Sequence, residues 1–114
     1  MAEDRDLLTV MYAQFNAREM ESVLERLHPD VDWPNGMEGG RVQGRDGVRE
    51  YWTRQWGMID PNVEPVGFAV DEAGDTEVSV HQVVRDLEGK VLADQMVKHV
   101  YTIEDGLIRR MEIR

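Results

Sequence analysis

Between Thr76 and Arg114 apolar and polar residues alternate with a period of two. In the run from Thr76 to Asp86, Val78, Val80 and Val84 fall on one face; in the run from Val91 to Glu104, Ala93, Gln95, Val97, His99, Tyr101 and Ile103 do. Asp105-Gly106 separates that second run from Leu107–Arg114. Both residues tolerate positive φ, so this dipeptide between alternating runs predicts a tight hairpin. An earlier run, Val63 to Asp71, carries Val66, Phe68 and Val70 at the same period. Together these four segments predict an antiparallel meander.

Upstream the apolar spacing changes to that of a helix. Leu7, Leu8, Met11, Tyr12 and Phe15 form one stripe and predict a helix from Glu3 to Phe15, with Asp4 and Asp6 at its positive end and Asn16 as a left-handed stop. Met20, Val23, Leu24 and Leu27 predict a second helix from Arg18 to Leu27, ended by His28-Pro29 because the residue before proline leaves the helical region. Val31-Asp32-Trp33 reads as a short strand closed by Pro34. Val48, Tyr51, Trp52, Gln55 and Trp56 predict a third helix, Arg45 to Trp56, ended by Gly57, with Pro61 in the following connection. The segment Asn35 to Gly44 holds Gly36, Gly39, Gly40 and Gly44. It is either a mobile flap over a cavity mouth or, more simply, an ordinary loop; no Gly-Lys-Ser/Thr follows to make it a phosphate loop. Helices gathered before an antiparallel sheet predict an α+β fold with the helices on one face of a curved sheet.

Taking Glu88-Gly89 and Asp105-Gly106 as two-residue turns fixes a register. Gln82 then faces Gln95, Val80 faces Val97, Val78 faces His99, and Val84 faces Ala93. A slip of one residue would expose every valine. The same rule on the last hairpin pairs Ile103 with Ile108, Tyr101 with Arg110, and His99 with Glu112, which turns two charged groups inward. A bulge would instead turn Arg110 and Glu112 outward and Met111 and Ile113 inward, and both registers stay open. In either, the interior face carries a histidine, a tyrosine and two glutamines, which suggests a lined cavity rather than a solid core. The opposite face carries Val83, Met96, Val100, Thr102, Leu107 and, without the bulge, Met111 and Ile113. Such an apolar patch among charges predicts a homodimer through the sheet.

The 114 residues suffice for one domain, which buries about two-thirds of its unfolded surface. Thirteen Lys+Arg stand against 23 Asp+Glu, a net charge of −10, and this balance repels phosphate backbones and anionic lipid. Neither nucleic acid nor a membrane is an expected partner. The absence of cysteine excludes disulfides, thiolate zinc sites and thiol nucleophiles. The acidic start, from Met1 to Asp6, lacks the apolar segment of a signal peptide, and no run approaches membrane-spanning length, so a cytoplasmic location is expected. His28 falls at a helix end and His81 on the outer face, without metal-ligand spacing, so no metal or cofactor is expected. Asp30, Asp32, Glu72 and Asp75 read as solvated turn residues.

Phe15-Asn16-Ala17-Arg18, Leu27-His28-Pro29-Asp30-Val31-Asp32-Trp33, Gly44-Arg45-Asp46-Gly47-Val48-Arg49-Glu50-Tyr51-Trp52 and Asp105-Gly106-Leu107-Ile108 together resemble the SnoaL-like branch of the nuclear transport factor 2-like superfamily. The resemblance spans nearly the whole chain and implies a cone-shaped α+β barrel, a cavity between the helices and the concave sheet face, and dimers through the convex face. It also implies that His99 stands where ketosteroid isomerases and SnoaL-type cyclases carry a catalytic aspartate. The steroid-isomerase pattern departs elsewhere: its oxyanion tyrosine falls on Met11 and its proton-shuttling aspartate on Trp33, so steroid isomerisation is not expected. Tyr12 lies one position on, about 100° around the helix.

The expected site follows. His99 would move a proton near neutral pH, Tyr101 would orient, and Glu112, if inward, would fix the tautomer of His99 and raise its pKa. Tyr12, Trp33, Asn35, Trp52, Gln82, Gln95, Val97 and Arg110 would contact a small apolar ligand. Phe15 and Trp56 read as packing. Three functions compete: a pocket protein for a small molecule, polyketide- or terpenoid-like; a cofactor-free isomerase, cyclase or dehydratase built on His99; and a dimerising domain with a vestigial cavity.

Overall fold

A curved sheet of six strands runs in the order β2-β1-β6-β5-β4-β3, and three helices precede or interrupt it in the chain. The structure is a computed structural model describing residues 2–114, with side chains from residue 4 onward. The reading of the N-terminus as leaderless includes Met1, which lies outside the described residues. The elements are α1 (Ala2–Asn16), α2 (Met20–Glu25), β1 (Leu27–Pro34), β2 (Arg41–Gln43), α3 (Gly44–Trp56), β3 (Ile59–Val70), β4 (Thr76–Asp86), β5 (Val91–Glu104) and β6 (Leu107–Ile113). The α+β architecture matches the sequence reading, but β2 and β3 are separate edges, so the sheet is not closed into the expected barrel.

The core forms where the helical stripes meet the sheet. Leu8, Met11, Tyr12 and Phe15 of α1, Val23 and Leu24 of α2, and Val48, Tyr51 and Trp52 of α3 share one buried cluster with Val78, Val80, Tyr101, Ile108 and Met111. Burying this apolar surface drives the packing, at roughly 25 cal/mol per Å². Asn16 fastens the end of α1 to the edge strand. Its amide donates to the carbonyl of Val63 (2.8 Å) and accepts from the Val63 N–H (2.9 Å). The left-handed residue expected at Asn16 is Arg18 instead, at φ 62.

Long-range pairing redraws the middle of the chain. α2 is shorter than expected because β1 already begins at Leu27, where it pairs in parallel with Ile108 of β6. Pro29 thus lies within a strand rather than ending a helix. Arg41–Gln43, read as loop, forms β2 against Asp32–Pro34. β3 begins at Ile59 and runs through Pro61 and Pro65. An edge strand tolerates both, because one side of its backbone has no ladder partner.

The register of β4 on β5 is the expected one: Val78 with His99, Val80 with Val97, Gln82 with Gln95, Val84 with Ala93. The turn that sets it differs. Asp86 donates its N–H to the Lys90 carbonyl (2.8 Å), which encloses a three-residue loop with Gly89 at φ 95. An irregularity between Arg85–Val91 and Val84–Ala93 adds Leu92 to β5 and restores the register. At the last hairpin, Asp105 and Gly106 take the expected positive φ, 54 and 75. After Ile103–Ile108 the pairing shifts by one, to Thr102–Arg110, Tyr101–Met111, Val100–Glu112 and His99–Ile113. The bulge at Arg109 is held from outside: its guanidinium donates to the carbonyl of Asp30, and Arg110 pairs with Asp32.

This shift corrects two expected site residues. Glu112 and Arg110 face away from His99 and pair with each other (2.7 Å). It also moves Met111 and Ile113 from the outer face to the inner one, and Val100, 3% exposed, offers no surface. No helix among the described residues is long and apolar enough to cross a membrane.

Candidate functional site

The helices and the inner sheet face line a cavity of about 320 Å³ that is open to solvent on one side. Its walls come from α1 (Met11, Tyr12, Phe15), from the end of β1 and the following turn (Trp33, Pro34, Gly36, Met37), from α3 (Tyr51, Trp52, Gln55), and from β3 to β6. The sheet supplies Gln82, Val84, Gln95, Val97, His99, Tyr101, Met111 and Ile113. No side chain of this lining is an Asp, Glu, Lys or Arg. In a chain that is 32% charged, the inner face is thus uniformly uncharged.

His99 sits deep in this wall, 6% exposed. The Tyr101 hydroxyl donates to that of Tyr12 (2.7 Å), and the Tyr12 hydroxyl lies 2.8 Å from Nδ1 of His99. The Tyr12 and His99 rings are nearly parallel, at 14°. Burial lowers the His99 pKa to about 4, so the ring is neutral at neutral pH. With Tyr101 donating to Tyr12, the Tyr12 proton is free to donate to Nδ1. A neutral ring that accepts at Nδ1 carries its proton on Nε2. Nε2 has no protein partner among the described residues and is not a sealed atom, so its N–H is presented to the cavity. Burial also raises the Tyr101 and Tyr12 hydroxyls well above the usual tyrosine range. The relay is therefore an uncharged chain of donors ending in one N–H.

Of the expected residues, the cavity brings together His99, Tyr101, Tyr12, Trp33, Trp52, Gln82, Gln95 and Val97. It does not include Glu112, Arg110 or Asn35. Glu112 therefore has no access to the His99 ring, and the tautomer it was expected to fix is set by Tyr12 at Nδ1 instead. Asn35 spends its amide inside the turn: Oδ1 accepts from the Glu38 N–H (2.8 Å) and Nδ2 donates to Glu38 (3.2 Å). Phe15, read as packing, reaches the cavity, while Trp56 stacks on Trp52 at 5.7 Å behind the wall. Trp33 and Trp52 meet edge to face at 5.4 Å. Met11 and Trp33, the positions matched to the steroid-isomerase tyrosine and aspartate, both face the cavity, so those substitutions remove two polar groups from it.

Sequence reasoning missed the turn residues Gly36 and Met37, and the polar role of Tyr51. The Tyr51 hydroxyl accepts from the Gly36 N–H (3.1 Å) and from Gln55 (3.2 Å), which ties the turn to α3. Tyr51 lies on the stripe that predicts α3, but nothing local signals this long-range bond. Asp32 is a second miss. Its side chain is 15% exposed and bonds Arg41, Arg110 and Gln43. Partial burial pushes its pKa up, but the two arginines and Gln43 outweigh that and hold it below the usual value. His28, Glu104 and Asp105 also lie together, yet Nδ1 of His28 accepts from the Asp30 N–H (3.0 Å). The neutral ring then carries its proton on Nε2, the nitrogen nearest Glu104, which leaves no free lone pair for a metal.

Residues 8–111 match the SnoaL-like domain, and the chain belongs to that family. TerC, solved in a co-crystal with polyporic acid, is 28% identical; the match covers 98% of this chain and 90% of that one at a TM-score of 0.83. A nuclear transport factor 2-like protein of unknown function from Burkholderia pseudomallei is 26% identical, with 100% and 91% covered and a TM-score of 0.85. RV0760c of Mycobacterium tuberculosis, solved with estradiol-17β-hemisuccinate, shares the fold at 14% identity, with 97% and 92% covered and a TM-score of 0.82. Comparison with curated proteins gives no match.

Proposed function

We propose that this chain, acting as a single domain, binds a small, uncharged, mostly apolar molecule, polyketide- or terpenoid-like, with the N–H of His99 Nε2 donating to an oxygen of the ligand. The observation that carries this reading is a buried, neutral imidazole, fixed at Nδ1 by Tyr12, beside a cavity whose lining holds no charge. Trp33, Trp52 and Phe15 provide flat apolar walls. TerC and RV0760c were each solved with a small molecule, which supports a small-molecule ligand here but not its lack of charge, since both of those compounds are acids. Mass spectrometry of the protein released from its native fold tests the reading. Wild type carries a small molecule that His99→Ala loses; equal retention by both contradicts the role of His99.

A second reading has one observation in its favour. The chain Tyr101–Tyr12–His99 could stabilise a developing oxyanion at Nε2, as a cofactor-free isomerase, cyclase or dehydratase requires. A general base is less suited, since a pKa of about 4 makes the ring a weak one at neutral pH. Conversion of the retained molecule over hours, absent in His99→Ala, separates catalysis from binding.

Cytoplasmic residence and a homodimer through the outer sheet face belong to the same proposal. Met96, 59% exposed, with half-buried Val83, Thr102 and Leu107, is what that face offers after the register is corrected. A monomer at micromolar concentration in light scattering would remove the dimer.

A further inference from the structure

The cavity floor has a polarity pattern along its length, and that pattern describes a ligand. Residues paired across β4 and β5 share a face, so the inner surface is a ladder of rows. Outward from Thr76 with Tyr101, the rows are Val78 with His99, Val80 with Val97, Gln82 with Gln95, and Val84 with Ala93; of these last four, His99, Val97, both glutamines and Val84 line the cavity. The rows carry, in turn, a donor, an apolar step, a pair of amides, and an apolar rim. His99 and Gln95 lie four residues apart on one strand, about 13 Å along the backbone.

The two glutamines are the unusual rung. They interrupt the valines that otherwise occupy this face of β4, Val78, Val80 and Val84, and both line the cavity. Their backbones are direct partners, yet their amides make no hydrogen bond to each other or to any other described residue, although Asn16, Asn35, Gln14, Gln43 and Gln55 all do. Gln82 is half-buried and Gln95 exposed, which sets the pair at the outer end of the cavity, opposite the depth of His99. Two adjacent primary amides offer both N–H donors and carbonyl acceptors in a small space.

We infer that Gln82 and Gln95 form an outer polar subsite, so that the ligand is elongated, with a hydrogen-bond acceptor at its deep end, an apolar middle against Val97, and an uncharged group that both donates and accepts at its outer end. A carboxamide or a hydroxyl fits that outer end. A carboxylate fits poorly, because no cation lines the cavity and the chain carries a net charge of −10. The inference rests on the cavity-binding reading above and assigns the second pole of the same site.

Three compounds test it: para-hydroxybiphenyl, and the same compound bearing a carboxamide or a carboxylate at the far para position. Each is titrated into the protein by quenching of the fluorescence of Trp33 and Trp52, in wild type and in the Gln82→Leu, Gln95→Leu double variant, with circular dichroism as the check on folding. In wild type the carboxamide binds about tenfold more tightly than the parent, as one or two net hydrogen bonds provide, and more tightly than the carboxylate. In the double variant the ratio of carboxamide to parent affinity falls to about one. The Gln82→Glu variant keeps the side-chain shape, adds a charge, and lowers the carboxylate affinity further. A parent compound that binds through His99, with a carboxamide that gains nothing, overturns the outer subsite and leaves the cavity reading intact. A carboxamide advantage that survives in the double variant also overturns it. Failure of all three to bind overturns the cavity reading and the subsite with it.

Discussion

The hydroxyl of Tyr12 lies 2.8 Å from Nδ1 of His99, two side chains 87 positions apart in the chain. That one bond selects the tautomer of the imidazole and so decides what the cavity meets at Nε2: a donor rather than a lone pair. Tyr101 behind it completes the chain, and burial keeps all three groups uncharged at neutral pH.

Replacing Tyr12 with Phe removes the donor and leaves the ring shape. The His99 tautomer then becomes mixed, visible in the nitrogen chemical shifts of the imidazole. Stability falls by about 1–3 kcal/mol, since Nδ1 loses its nearer partner in a buried site and keeps only the Tyr101 hydroxyl at 3.4 Å. Unchanged nitrogen shifts would mean that Tyr12 does not set the tautomer.

Acid should destabilise the fold in a defined window. The His99 pKa is about 4 in the folded chain and near 6.5 when unfolded. The unfolded state therefore takes up a proton first, and stability falls as the pH drops from about 6.5 toward about 4, by a total of about 3 kcal/mol. Below that, both states are protonated and His99 contributes no further slope. Asp32 acts in a lower window, because its folded pKa lies below the usual carboxylate value. Its contribution is lost as the pH falls through that range. Urea midpoints measured across pH in wild type and His99→Gln test this, and the variant loses the slope of the upper window.

Asp32→Asn leaves Arg41 and Arg110 without their shared carboxylate on the face away from the cavity. A cost of about 1–3 kcal/mol is expected in chemical unfolding, as one partner of a partly buried charged cluster is removed. Quenching of cavity tryptophans by para-hydroxybiphenyl should be unchanged. A change in that affinity would show that the outer network controls the cavity.

Asn16→Ala removes both bonds from α1 to the backbone of Val63. Stability should fall by about 1–3 kcal/mol, and amide exchange should quicken along β3 first, because this edge strand has a ladder partner on one side only.

Much of the sheet could be read from the chain because side-chain alternation is local. The pairing of Gln82 with Gln95 came out right even though the turn between them was misread; the extra residue in the loop is cancelled by Leu92 in β5. No such compensation follows the last turn. Whether Arg109 bulges depends on Asp30 and Asp32, which lie far upstream, so the pattern of β6 left two registers open. The misplacement of Glu112 and Arg110 follows from that single residue. β1 and β2 were obscured for the same reason: Leu27 fits a helical stripe, and only its parallel pairing with Ile108 makes it a strand. At the site, His99 stood out as a histidine on an apolar face. Its partner did not, because the helical rotation that brings Tyr12 to Nδ1 is set by packing of α1 against the sheet.

The most direct test of the account is a titration of wild type and His99→Phe with para-hydroxybiphenyl, followed by tryptophan fluorescence. The phenylalanine keeps the wall apolar and removes the N–H at Nε2 together with the Nδ1 acceptor of Tyr12. The account predicts saturable binding to wild type and an affinity about tenfold lower in the variant, the loss of one hydrogen bond in a buried site. Equal affinity in the two proteins would contradict it.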